Sequence, residues 1–61
     1  MYVFEATYEN MDTGKEVTRT IEFDGDNFFP TEKECYLYAM SMAYDMKQRN
    51  ECFGNLEFIA C

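Results

Sequence analysis

The chain has 61 residues, with twelve acidic side chains against five basic ones, no histidine and a net charge of −7. Its size allows one domain with a thin core, because so short a chain buries only ~60% of the surface its unfolded form exposes. Direct binding to nucleic acid is set aside, since such binding draws its affinity from Lys and Arg neutralising phosphates.

Catalysis is not expected either. General acid–base steps most often use histidine, and a domain this small encloses no substrate. Aromatic residues make up 18% of the chain, so each buried ring supplies a large share of the core. No stretch of ~18 apolar residues suggests a membrane partner. No basic-then-apolar leader follows Met1, and no retention or prenylation signal stands at the end, so the expected location is cytoplasmic.

The first predicted element, from Tyr2 to Glu9, sets Tyr2, Phe4, Ala6 and Tyr8 on one side and Val3, Glu5, Thr7 and Glu9 on the other. This is the period of a half-buried strand. From Glu16 to Phe23 the pattern repeats, with Val17, Arg19, Ile21 and Phe23 on the apolar side. Between them, Met11, Asp12, Thr13 and Gly14 form a four-residue loop whose Gly supplies the positive φ that a type I hairpin turn needs. Pairing Asn10 with Lys15 places Tyr8 opposite Val17, Ala6 opposite Arg19, Phe4 opposite Ile21 and Tyr2 opposite Phe23. A shift of one residue would set Phe4 against Glu22 or Thr20, so burial fixes this register.

The run Asp24, Gly25, Asp26 and Asn27 breaks the alternation and reads as a turn. It lacks the third spaced oxygen and the final bidentate Glu of a calcium loop, and no other metal or cofactor is expected. After Phe28, Phe29 and Pro30, Thr31 and Glu34 form a capping box that opens a helix. The helix is expected to reach about Arg49, with Lys47 and Arg49 at its negative end. Either Phe28 or Phe29 is expected to pin the incoming loop to the core. After Asn50 to Gly54, read as a loop, residues 55–61 alternate Leu56, Phe58 and Ala60 against Glu57, Ile59 and Cys61, a third strand. The expected fold is α+β, ββαβ: a three-stranded antiparallel sheet in the order 2-1-3 with one helix packed on one face. That order places the apolar first strand at the centre, with 1-2-3 as the alternative.

Cys35, Cys52 and Cys61 lack a C-x-x-C pair and histidine partners, so they read as reduced thiols with Cys35 in the core; a Cys52 to Cys61 bridge or an intermolecular one is the alternative. Arg19 is the sole charge on the apolar side of the hairpin, and its stem is expected to lie under the helix with the guanidinium reaching an acidic side chain or the rim, a binding role being the alternative. Two surfaces are candidates for contact. One is the outer sheet face, where Glu5, Glu9, Glu16, Glu22 and Glu57 stand among threonines, with Ile59 beside them. The other is a helix stripe of Leu37, Met40 and Tyr44, left over after Cys35, Tyr36, Ala39, Ala43 and Met46 face the sheet. Tyr38 and Met42 lie on the opposite flank, and Phe28, Phe29 and Phe53 are the residues available to cover such flanks.

The expected function is therefore a non-catalytic protein-interaction module, an adaptor or inhibitor, whose partner is a protein with a basic surface. The alternatives are a nucleic-acid mimic of viral or mobile-element type that blocks a basic groove, and a structural protein that makes a homodimer through the helix stripe.

Overall fold

The structure, a computed structural model, describes residues 1–24 and 31–60. In chain order the elements are β1 (Tyr2–Asn10), β2 (Glu16–Phe23), α1 (Glu32–Met46) and β3 (Glu51–Ala60). The three strands form one sheet in the order β2-β1-β3 with both pairings antiparallel, and the helix lies on one face. This is the α+β arrangement that the alternation pattern predicts. Gly25, Asp26, Asn27, Phe28, Phe29, Pro30 and Cys61 lie outside the described residues, and with them the predicted turn, the loop-pinning Phe and the Cys61 bridge.

The hairpin register is the predicted one, from Tyr2 opposite Phe23 to Glu9 opposite Glu16. Its turn is built by Asn10, whose Oδ1 accepts hydrogen bonds from the amides of Asp12 and Thr13. The Gly14 amide returns to the Asn10 carbonyl at 2.7 Å, and Gly14 takes a φ of 75°, a conformation that costs a residue with a Cβ. Phe4, Ala6, Tyr8, Ile21 and Leu56 are buried beneath the helix, where Cys35, Ala39 and Ala43 complete the core. The two alanines let the helix backbone approach the sheet, which a larger side chain at either position would prevent.

At the helix start, the Thr31 hydroxyl accepts from the Glu34 amide, as the capping box predicts. The helix end differs from the prediction. It stops at Met46, because Lys47 is extended and turns its amide to the Tyr44 carbonyl. Lys47 and Arg49 therefore stand outside the last turn. The Gln48 amide donates to the nearby Glu51 carboxylate at 2.9 Å, and Arg19 of β2 holds that carboxylate from across the sheet, so the chain turns straight into β3.

The third strand accordingly begins at Glu51 rather than Asn55. Phe53 and Leu56 are three residues apart and so break a two-residue period, yet both partner the apolar face of β1. Phe53 is opposite Tyr8 and Leu56 is opposite Ala6. A register shift between Thr7 and Tyr8 absorbs the extra residue, Gly54, whose added Cβ would stand 3.2 Å from the Thr7 carbonyl oxygen. A second shift, between Val3 and Phe4, inserts Ile59 and carries Ala60 onto the face it shares with Val3. Ala60 was expected on the apolar face. Bulges of this kind alter the side-chain parity of a strand without ending it.

Candidate functional site

Beneath the last helical turn lies a polar knot. The Ala43 carbonyl would ordinarily accept from the amide four residues on, but the Lys47 amide goes to Tyr44. The buried Tyr8 hydroxyl donates to Ala43 in its place. Arg19 crosses the face of the Tyr8 ring, 4.7 Å from its centroid, and grips the buried carboxylate of Glu51 with both terminal nitrogens at 2.6 and 2.7 Å. The two hydrogen bonds from Arg19 and the one from the Gln48 amide hold the Glu51 carboxyl at a pKa of about 2, against an ordinary 4.5. Burial pushes the Tyr8 hydroxyl up, with Arg19 opposing. Every group in the knot is satisfied from within, so it joins helix to sheet and offers nothing to a ligand. The predicted placement of Arg19 holds. Its partner, Glu51, was placed in a loop by the sequence pattern.

The opposite face of the sheet is different in kind. Across it, Glu16, Glu9 and Cys52 form one row, and Thr18, Thr7 and Asn55 a second. Thr20, Glu5 and Glu57 form a third, and Glu22, Val3 and Ala60 a fourth. All five predicted carboxylates thus share one face, and no Lys or Arg occupies any of its strand positions. Two pairs are directly opposed, Glu9 with Glu16 and Glu5 with Glu57. Glu9, Glu16, Glu22 and Glu57 are exposed and Glu5 is half-buried. Like charges directly opposite one another destabilise a sheet.

The helix stripe is only partly as predicted. Leu37 and Tyr44 are 54% and 56% exposed, whereas Met40 packs against the core. Tyr36 and Met46 were expected against the sheet but remain substantially exposed. Tyr36 instead sits at the helix margin with its ring 6.3 Å from that of Phe4. Tyr44 leans on Phe53 of β3 at 5.0 Å. At ~100° per residue, Tyr36, Met40 and Tyr44 follow one another along the β3 side of the helix, and Leu37 lies further round. On the β2 side, Tyr38 stacks edge-on against Phe23 at 4.9 Å.

Beside Tyr36 a cleft of about 590 Å³ opens between the first helical turns and the strand ends, lined by Tyr2, Phe4, Phe58, Glu32 and Lys33. No helix among the described residues is long and apolar enough to cross a membrane.

Comparison with protein-family models, with curated proteins and with solved structures finds no match to this chain.

Proposed function

We propose that this chain is a small, non-catalytic interaction module, an adaptor or inhibitor, that binds a protein through its acidic sheet face. The observation that carries this reading is the opposition of like charges. A face meant only for water gains from alternating signs across strands, yet here Glu9 opposes Glu16 and Glu5 opposes Glu57 with no cation between them on the sheet. An arrangement that costs folding energy is offset when a basic surface meets it. Exposed Tyr36, Leu37 and Tyr44 supply apolar area of the types enriched in protein interfaces. We place the protein in the cytoplasm, where Cys35 serves as a core residue beside Ala39 and needs no bridge.

The rival in which the carboxylates imitate a nucleic-acid backbone fits the geometry less well. The carboxylate rows stand at Val3, Glu5 and Glu9 of β1, two and then four residues apart or about 7 and 13 Å at strand rise, whereas a nucleic-acid strand repeats its charge at a regular interval. The test is capture of a partner from the native host. Capture by the wild type, release by salt and failure of capture after Glu→Gln changes at Glu5, Glu9, Glu16, Glu22 and Glu57 support the reading. Release only by mild detergent, with capture indifferent to those changes, sinks it and points to the helix stripe. A mass that doubles with concentration and reverts in Met40→Glu or Tyr44→Glu would establish the homodimer instead.

A further inference from the structure

The two candidate surfaces meet along one line, the outer edge of β3. The strand order β2-β1-β3 leaves that edge without a neighbouring strand among the described residues. Exposed sheet edges are normally guarded by Lys, Pro, inward-pointing charges or bulges, because their free amides and carbonyls accept any extended chain; the bulges of β3 fall at Gly54 and Ile59, outside residues 55–58. From Cys52 to Ala60 there is no Lys, Arg or Pro and a single charge, Glu57. The other edge, β2, carries Glu16, Arg19 and Glu22. The two bulges in β3 bracket residues 55–58, which pair regularly with β1 on their inner side.

We propose that β3 accepts an extended segment of the basic partner as a fourth strand, paired along residues 55–58 and alternating cationic with apolar side chains. This deepens the reading of the acidic face and rests on it. Successive residues of an added strand point to opposite faces. On the helix side they meet Phe58, 52% exposed, and the cleft that Tyr36 overhangs. On the other side they come beside Glu57, which itself stands opposite Glu5. Apolar residues suit the first environment and Lys or Arg the second. Backbone hydrogen bonds supply affinity and the alternate side chains supply selectivity, as in strand addition generally. A second copy is a poor occupant, since its own β3 brings Glu57 and no cation to the same edge, and each chain carries a charge of −7.

The experiment titrates the full chain, at low salt, with a short capped peptide of alternating Lys and Val. A parallel titration uses an isomer of identical composition whose Lys and Val are segregated into blocks. Binding is read by calorimetry and by amide hydrogen exchange. The alternating peptide is expected to bind at least about tenfold more tightly and to slow exchange at residues 55–58 while leaving β2 unchanged. Glu57→Lys, at an exposed position of β3, should weaken the preference for the alternating peptide, whereas Ser41→Ala, at an exposed helix position outside both surfaces, should leave it intact; an undiminished preference in Glu57→Lys counts against the proposal. Equal binding of both peptides with no protection in β3 overturns strand addition and leaves the basic-partner reading standing. Failure of both to bind overturns the two together. Protection of residues 55–58 in the chain alone, rising with concentration and with a doubled mass, assigns the edge to a second copy and overturns the proposal.

Discussion

Replacing Glu9 by Lys tests the physical premise of the functional reading without requiring the partner. Glu9 is exposed and directly opposite Glu16, with side chains at such positions about 4.5–5.5 Å apart at Cβ. Two unit charges about 5 Å apart in water repel by roughly 0.8 kcal/mol before screening. That agrees with the roughly 0.2–1 kcal/mol observed for cross-strand pairs. The substitution removes the repulsion and adds an attraction of similar size, so the gain is roughly 0.4–2 kcal/mol at low salt. In a domain of this size about 1 kcal/mol moves Tm by roughly 4–8 °C. Thermal unfolding at low ionic strength should show that rise, and the rise should shrink toward zero near 1 M salt, where the Debye length is about 3 Å. Glu9→Lys should also weaken capture of the partner. A variant no more stable than the wild type at low salt would show that the opposed glutamates carry no cost, and the argument from cost to function would collapse.

Three further outcomes follow from the knot and the turn. Tyr8→Phe removes the donor to the Ala43 carbonyl and leaves a buried acceptor unpaired, so urea unfolding should show a loss of about 1–3 kcal/mol with an unchanged m-value. Exchange should quicken in the last helical turn. The Glu51 carboxyl has a folded pKa of about 2 against an ordinary 4.5, so its contribution is complete above about 4.5 and disappears as pH falls toward 2. Stability measured against pH should therefore fall more steeply through that window in the wild type than in Glu51→Gln; parallel curves would remove the ion pair from the account. Gly14→Ala meets no neighbour within 4 Å, but the backbone φ is 75°. Its cost of roughly 1–2 kcal/mol is thus conformational, and Gly14→Asn should recover part of it.

The hairpin, its register and the helix start are legible in the amino-acid sequence alone, which also favours the sheet order 2-1-3 over 1-2-3. Each follows from local rules that agree with one another: the alternation of Tyr2 to Tyr8, the Gly at the turn, the Thr31 cap, and the need to bury the most apolar strand between two others. It also placed four glutamates of the hairpin on one face, since parity within a paired register leaves no choice. Residues 51–54 were illegible because a bulge at Gly54 changes the side-chain parity, and no two-residue period survives across it. A hint was present, in that Arg19 requires a buried carboxylate and Glu51 stands close before an apolar run.

Assembly of the sheet, and no local pattern, sets where the helix stops: the Tyr8 hydroxyl, 35 residues away, takes the Ala43 carbonyl, and Arg19, 32 residues from Glu51, holds the carboxylate that accepts from the Gln48 amide. It also brings the β3 side of the helix to the strand that carries Glu57, with Tyr36 lining the cleft beside Phe58 and Tyr44 meeting Phe53. Helical periodicity ranks the faces of a helix by apolarity, but the side on which a neighbouring strand runs out is set by how the whole sheet is assembled.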